Sequence, residues 1–571
     1  MKNVLVARSV LGKSWIAAPV SENPDLIKNI LAARGIVGQD AAARFLNPKI
    51  SESMPDPFVL RDMQRGIVIA GDAIIAGKKI GVFGDYDVDG ITSAAILVRF
   101  LRMIGADPAW HLPDRDTEGY GLNNAAITEF AAAGVGLMIT VDCGISGHAE
   151  IEFAKTLGIE TIVTDHHPDD SIPDALAVID PKRPDDESGL GYLAGVGVAF
   201  MFVVALKREL AARGYQMPEI NMMDFVDLVA LGTICDMMPL VGLNRAFVKT
   251  GLQTMRQTKN LGLQSLMTVS DVKVPSVYAA GFILGPRLNA AGRLDSANPA
   301  LELLLCDNPM AAMDFANLLN ATNARRIDKT NGILLHATEI AEKIKDRNHI
   351  FICQDDWPKG FMGIIAGRIK DKFNLPTLVA TRLGDEINGS GRSIPQIDLG
   401  AIIRGALAAG ILSEGGGHSV AAGFSLRGDR MEDFQRFLSD QVELQLAGAE
   451  IISEINVDLE IDSAGATRDL VNKMSALAPF GQANPEPVLV LNNAFIGYCR
   501  AVGTNHVSGV FRNSVGGNLS FIGFNLADSP IGRFLLDDSN TGRRVILCGK
   551  LKENDYNGRK DIQFVLEDMA V

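Results

Sequence analysis

The sequence predicts an α/β protein: a doubly wound parallel sheet, a long helix, a second α/β unit and an all-β tail. Three observations carry this reading. From Lys79 short β-rich apolar runs alternate with helical stretches. Pro309 to about Asp346 keeps roughly helical apolar spacing with no proline after the first. Beyond about Ile455, β-rich runs are separated by paired turn residues.

Each element follows from its local pattern. Residues 1 to about 55 hold a helical pattern over Pro24–Phe45, then a loop with Pro48, Pro55 and Pro57. Lys79–Gly84, Leu137–Val141 and Thr161–Thr164 read as strands, and Ile91–Ile104 and Ala149–Leu157 as helices between or beside them. Asp224–Ile234 reads as a further, amphipathic helix. Pro309 suits a first helical position, and Leu318, Leu319, Ile333, Leu334, Ile340 and Ile344 follow at near-helical spacing, interrupted by the polar stretch Arg325–Asn331. So long a segment predicts a rigid connector. Strand Ile350–Cys353, helix Ile364–Lys372, strand Thr377–Thr381 and helix Leu399–Ala409 make the second unit. In the tail, Pro487–Leu491, Val507–Phe511 and Val545–Leu551 alternate with the turn signals Gly516-Gly517 and Asn557-Gly558.

Composition sets outer limits. At 571 residues the chain exceeds one core, and 47% hydrophobic with 21% charged residues is the balance of a folded soluble protein. No positively charged stretch leads into a long apolar segment, so no secretory signal is expected. The most apolar window, Val196–Leu206, falls short of the ~20 residues of a membrane span and reads as a buried helix. The six cysteines form no CxxC pair and read as reduced thiols, which fits a cytoplasmic protein. A net charge of −14 opposes nucleic acid in general. Carboxylates gathered around cations would partly account for that sign, and a nucleic-acid reading then needs local basic clusters.

The chemistry concentrates at strand ends. Gly84-Asp85-Tyr86-Asp87-Val88-Asp89-Gly90 lies directly after a strand and before a helix, so its alternating carboxylates can meet at the sheet's C-terminal edge. A calcium loop starts similarly but needs a carboxylate at its twelfth position, which here is Ile96. Two further strands run into Asp142-Cys143-Gly144 and Asp165-His166-His167, and the apolar run Leu228–Cys235 ends in Asp236. A lone acid at such an end is usually just a helix cap; the recurrence at successive ends points to a shared site. Imidazole and carboxylate without paired thiolates suit Mn²⁺ or similar cations, and a pair of such ions activates water in phosphoester hydrolysis. There is no G-x-S-x-G elbow and no P-loop.

These four segments resemble, in order, the motifs of the DHH phosphoesterase superfamily. Gly285-Pro286-Arg287-Leu288-Asn289-Ala290-Ala291-Gly292-Arg293-Leu294, Ser390-Gly391-Arg392-Ser393, Gly416-Gly417-His418 with Ala421-Ala422-Gly423, and Leu477-Ala478-Pro479-Phe480-Gly481 with Asn484-Pro485 resemble its RecJ exonuclease branch. The resemblance implies a helical lead-in over 1–55, a DHH domain over 56–305, a connector helix over 306–346, a DHHA1 domain over 347–450 and an OB-like β-barrel over 451–571. It implies Asp85, Asp87, Asp89, Asp142, His166 and Asp236 as ligands of two Mn²⁺ or Mg²⁺ ions, with Asp142 bridging them. His167 would orient or polarise the scissile phosphate, Asn289 and Arg293 would hold it, and Gly417 and His418 would close the site from the second domain. Arg115, Ser390 and Arg392 would bind a 5′-terminal phosphate, and Arg287 belongs to the basic grouping expected to meet substrate. The implied activity is 5′→3′ hydrolysis of single-stranded DNA to 5′-mononucleotides in recombinational and mismatch repair. A single-strand-binding protein and a helicase are the implied partners, with no membrane and a monomeric chain. In one place the chain departs from the branch: Trp357-Pro358-Lys359-Gly360 stands where a His-Gln pair is usual.

Several features read two ways. Gly415-Gly416-Gly417-His418 is either a flexible loop or a phosphate cradle of backbone amides. Arg325, Arg326 and Lys329 suit a solvated helix face as well as a basic patch. Tyr498, Phe511, Phe521 and Phe524 either fill a small barrel or offer stacking platforms for bases, and His506 could meet a backbone phosphate. Two rival functions remain beside the exonuclease: a phosphodiesterase for very short or cyclic dinucleotides, which residues 455–571 speak against, and a non-catalytic scaffold, which the intact ligand positions speak against.

Overall fold

A computed structural model describes residues 3–18, 25–115, 117–294, 296–345, 347–556 and 559–571. Pro24, Asp346 and the Asn557-Gly558 turn lie outside the described residues. The chain divides into two compact units: one holds Met1–Leu11, Trp15–Asn323 and Asn456–Val571, the other Gly12–Ser14 and Ala324–Ile455. The division falls inside a continuous helix, Pro309–Ile344, so the polar stretch at Arg325–Asn331 does not break it.

The first unit is built on five parallel strands in the order Ala109–His111, Ile80–Gly84, Leu137–Val141, Glu160–Thr164, Ala177–Ile179. Ile80–Gly84 and Leu137–Val141 are buried along their whole length, which is why they read as continuous apolar runs. Helices cover both faces. Met63–Ile75, Val88–Met103 and Gly195–Ala212 pack one core; Asn124–Ala132 and His148–Thr156 pack the other with Phe83, Met138 and Val163. The strand order reverses between Ile80–Gly84 and Leu137–Val141, and doubly wound folds bind ligands beyond the strand ends at such a switch point.

Two expectations are corrected here. The apolar run before Asp236 is helix Val226–Cys235, as expected, but its residues through Ile234 are all buried, so it is not amphipathic; Asp236 is its C-cap. The lead-in also carries an antiparallel strand pair, Asn3–Val6 with Ser14–Ala17, ahead of helices Leu26–Ala33 and Gln39–Leu46.

The tail closes into a barrel. Leu489–Val502, His506–Arg512, Asn518–Gly523, Arg559–Ala570 and Arg544–Tyr556 follow one another, and the last pairs back with the first. It is not wholly β, since helices Arg468–Ser475 and Pro530–Leu535 flank it. Phe511 and Phe521 stack inside the barrel at 4.2 Å, whereas Tyr498 and Phe524 are exposed, so the four aromatics divide between the two readings. The barrel is fastened to the sheet domain through Arg245, a fully buried guanidinium. It donates to the carbonyls of Phe45, Leu477, Ala478 and Pro479 at 2.7–3.1 Å, and it lies over the Phe45 ring.

The second unit has a mixed sheet in the order Glu414–His418, Ala421–Arg427, Glu386–Arg392, Thr377–Leu383, Ile350–Asp355. Only the last two strands pair in parallel. Glu414–His418 is thus a strand rather than a flexible loop, hidden in the sequence because three consecutive glycines carry no side-chain alternation.

Candidate metal centre

Asp85, Asp87 and Asp89 occupy the turn from strand Ile80–Gly84 into helix Val88–Met103. Asp87 caps that helix, its carboxylate accepting from the N–H groups of Asp89 (2.8 Å) and Gly90 (3.1 Å). Gly90 is required there, because a Cβ would stand 2.4 Å from the Asp85 carbonyl oxygen. Asp142 follows strand Leu137–Val141 with φ 60°, a left-handed backbone that a non-glycine residue adopts at a cost. His166 and His167 follow strand Glu160–Thr164 after Asp165.

The fold brings these groups together. His166 Nε2 lies 3.1 Å from Asp142, 3.6 Å from Asp236 and 3.7 Å from Asp89. Ligand atoms within 4.8 Å of one another come from three overlapping sets: Asp85–Asp87–Asp142, Asp89–His166–Asp236 and Asp142–His166–His167. Asp142 thus lies in two of the sets, with Asp85 and Asp87 in one and with the two histidines in the other. Glycines let the backbone crowd in: a Cβ at Gly195 would meet the Asp142 carboxylate at 2.4 Å, and one at Gly232 would meet Asp89 at 2.8 Å.

Orphaned polar atoms test whether a cation fits. Asp85 Oδ1, Asp142 Oδ1, Asp236 Oδ2 and His166 Nε2 are buried with no hydrogen-bond partner. Native interiors rarely leave such atoms unpaired without an ion or water to meet them. Three of these atoms lie close together, with His166 Nε2 3.1 Å from Asp142 and 3.6 Å from Asp236, while the far side of the His166 ring and the neighbouring Asp89 are held by the backbone. His166 Nδ1 bonds the Leu193 carbonyl at 3.0 Å, which leaves Nε2 as the ligand nitrogen. Asp89 accepts from the N–H groups of Gly195 (2.7 Å) and Val196 (2.9 Å), at the start of helix Gly195–Ala212.

The electrostatics agree. Burial, then the Asp87 charge, pushes the Asp85 carboxyl up to about 8; burial and Asp87 push Asp236 up to about 7. Burial and the neighbouring acids hold Asp89 and Asp142 well above the usual carboxylate range. Burial, His167 and Lys182 push His166 down to about 3, so it stays neutral and able to ligate. His167 goes the other way. Burial opposes its charge, but the 2.8 Å bond to Asp165 and the charges of Asp165 and Asp236 raise it to about 9.

Asp165 has a part that its place in the motif did not disclose. Fully buried, it accepts from the N–H groups of Ile145, His166 and His167 and from the His167 ring, so it holds both histidines rather than facing the cluster. Tyr120 was also missed: its hydroxyl lies 3.2 Å from His167 Nδ1, and its ring meets Tyr86 edge-on. Arg115 lies over the Tyr86 ring at 5.4 Å. Helix Gly285–Leu294 carries Asn289 and Arg293 and packs on the same turn, with Gly292 against the Tyr86 carbonyl. Arg287 is engaged elsewhere, donating to the Ile283 carbonyl (2.6 Å) and Asn320 (2.9 Å).

The remaining candidates belong to the second unit. Ser390 and Arg392 lie on strand Glu386–Arg392, where the guanidinium bonds Ser390 Oγ at 3.1 Å. Both face the first turn of helix Met362–Phe373, since a Cβ on Gly363 would come 2.9 Å from Arg392 and 3.2 Å from Ser390. A helix N-terminus with Arg and Ser is an anion-binding arrangement. Gly417 has φ 141°, and a Cβ there would meet the Ala421 carbonyl at 2.4 Å; its own carbonyl accepts from Arg404 at 3.1 Å. His418 ends the same strand. Trp357, at the departure from the usual His-Gln, packs edge-on against His336 of the long helix.

A parallel sheet with acid and histidine groups converging beyond its carboxyl edge, a mixed α/β unit and a closed barrel together define a DHH-type phosphoesterase architecture. Residues 79–233 match the DHH family N-terminal domain, 345–444 the DHHA1 domain and 457–568 the RecJ OB domain. The chain is 35% identical to the single-stranded-DNA-specific exonuclease RecJ of Salmonella typhimurium, over 96% of each chain. It is 34% identical to RecJ of Escherichia coli, again over 96% of each. Among solved structures, RecJ of Thermus thermophilus in complex with Mn²⁺ matches with a TM-score of 0.79 at 28% identity, covering 98% of this chain and 79% of that one. The chain belongs to the RecJ family. Related RecJ structures have been solved with Mn²⁺ and with Mg²⁺, and the cluster described above offers groups that can hold such ions. Among the described residues no helix is long and apolar enough to cross a membrane.

Proposed function

We propose that this protein is a single-stranded-DNA-specific exonuclease that works 5′→3′ with two divalent cations. The observation that supports it most is the set of four buried, unpartnered ligand atoms gathered at the sheet's switch point. Asp85, Asp87, Asp89, Asp142, His166 and Asp236 would hold the ions, with Asp142 shared. Bound there, two cations supply Lewis-acid activation of water and stabilise the attacking and leaving oxygens of the displacement.

The chain's own residues do the rest. Asp165 fixes the His167 ring through Nδ1, and Nε2, with the Tyr120 hydroxyl at 3.5 Å, orients the scissile phosphate. Asn289 and Arg293, on the helix packed against the Asp85–Asp87 turn, hold that phosphate. Recognition of the 5′-terminal phosphate by Arg115, Ser390 and Arg392 gives the direction, and Gly417 and His418 add contacts to the strand. Exposed Tyr498 and Phe524 on the barrel supply stacking surfaces for bases further along. Arg287, whose guanidinium also bonds Ile283 and Asn320, completes the basic grouping that meets substrate. The cellular setting this supports is cytoplasmic DNA repair, downstream of a helicase and beside single-strand-binding protein, with the chain acting as a monomer.

An internally labelled, 5′-phosphorylated single strand with Mn²⁺ tests the reading. Stepwise shortening from the 5′ end, absent on duplex and abolished by Asp142→Ala, is expected. Shortening from the 3′ end would overturn the direction. Activity confined to di- and trinucleotides would move the substrate to the small-oligonucleotide class.

A further inference from the structure

The segment between strand Ala109–His111 and helix Asn124–Ala132 brings Arg115 against the Tyr86 ring and the Tyr120 hydroxyl against His167, beside the candidate metal centre. A carboxylate on the same segment ties the turn to the fold. A single oxygen of Glu118 accepts from His111 Nε2 at 2.8 Å and from Asn123 Nδ2 at 2.7 Å, while its other oxygen accepts the Asp114 N–H at 3.1 Å. The Asp114 carbonyl in return accepts the N–H groups of Glu118 (2.8 Å) and Gly119 (3.1 Å), and its carboxylate accepts from Thr117.

Each partner of Glu118 is anchored in the fold. His111 ends a strand of the sheet and stacks on buried Phe83 at 5.4 Å, with Phe130 edge-on at 6.5 Å. Asn123 caps helix Asn124–Ala132 through the Ala126 N–H at 2.9 Å. The carboxylate therefore ties together a strand end, a helix start and the turn that carries Arg115. The pair is mostly sheltered, with the side chains 19% and 25% exposed, so it is less screened than a surface ion pair. None of these groups touches the cluster.

We propose that Glu118, with His111 as its partner, is a positioning residue that sets Arg115 and Tyr120 for the leading nucleotide and so determines the preference for a 5′-phosphorylated end. This rests on the reading of Arg115 as a phosphate-binding residue. A mispositioned turn weakens capture of the end but leaves the metal ligands and Asp165–His167 in place, so the defect falls on KM rather than kcat.

The test compares wild type, Arg115→Ala, Glu118→Ala and Glu118→Gln on one strand with a 5′-phosphate or a 5′-hydroxyl, alongside hydrogen exchange of the peptide over Thr117–Asn123. Glu118→Ala is expected to raise KM for the phosphorylated strand about tenfold, an end-contact loss of ordinary size. It should shrink the phosphate preference by a similar factor, change kcat less than about twofold, and speed exchange in that peptide. Glu118→Gln keeps an acceptor for the Asp114 N–H but turns an amide N–H toward the Asn123 donor, so it should recover part of the preference and fall between wild type and Glu118→Ala. An equal fall in kcat on both strands would reveal a merely structural role and overturn the proposal. So would unchanged exchange and KM in Glu118→Ala while Arg115→Ala is impaired. If Arg115→Ala keeps the phosphate preference, the end-recognition reading itself falls.

Discussion

Two carboxylates of the first unit are equally hidden from water and differ in everything else. Asp568, on the last strand, accepts from Trp15 Nε1 at 3.0 Å, from Ser9 Oγ and from the N–H groups of Leu11 and Met569. Asp142, after the third parallel strand in the chain, leaves an oxygen unpartnered, on a left-handed backbone among other acids. Burial is costly for both. At Asp568 surrounding donors compensate it within the protein, and the residue fastens the N-terminal segment to the barrel. At Asp142 no hydrogen-bond donor among the described residues meets that oxygen, and a cation held there would supply the compensation. A satisfied buried charge is architecture; an unsatisfied one marks chemistry.

Substitutions should separate the two most widely. Asp142→Ala removes the proposed shared metal ligand and should lower exonuclease rate at least a hundredfold, about 3 kcal/mol of transition-state stabilisation, with Tm unchanged or raised in metal-free buffer. Asp568→Ala strands the buried Trp15 N–H and should cost about 2–4 kcal/mol of stability by denaturant unfolding, with activity kept at low temperature. Asp142→Ala that unfolds the protein while Asp568→Ala only inactivates it would invert the comparison. His167→Ala should lower kcat about a hundredfold, the usual weight of a positioned proton-bearing group, with Mn²⁺ affinity changed far less.

Acidity sharpens the same contrast. Asp85 and Asp236 have folded-state values raised to about 8 and about 7, so burial favours their neutral forms. For raised groups the contribution to stability is full below the unfolded value near 4 and is lost as pH rises through the folded value. Metal-free protein should therefore lose at least about 5 °C in Tm between pH 6 and pH 8.5. Added Mn²⁺ should restore more at pH 8.5 than at pH 6, because the ligands must shed protons to bind. Scanning calorimetry in EDTA and in Mn²⁺ checks both. The smallest effect concerns the barrel: Tyr498→Ala and Phe524→Ala should each weaken single-strand binding by about 1 kcal/mol in a fluorescence titration, without moving Tm.

The alternation of buried strands and helices was legible, as were the residues that converge at the sheet edge, because strand ends and their acids are adjacent in sequence. The helix before Asp236 reads correctly as a helix but wrongly as amphipathic: its residues from Val226 to Ile234 are all buried, so it presents no polar face. The short strands Asn3–Val6 and Ser14–Ala17 and the glycine strand Glu414–His418 carry too little side-chain pattern to be read. Motif letters named Asp165 and Arg287 but not their bonds, to both histidines in one case and to Ile283 and Asn320 in the other. Glu118 and Tyr120 had no signal at all, since their partners are fixed only by the fold.

Titration calorimetry of the metal-free protein with Mn²⁺ at pH 8 addresses the central claim most directly. Two ions per chain for wild type, with at most one weakly held in Asp142→Asn, is the predicted result. Wild-type protein that binds no Mn²⁺, or an Asp142→Asn isotherm matching it, would contradict the assignment of the cluster as a shared two-cation centre.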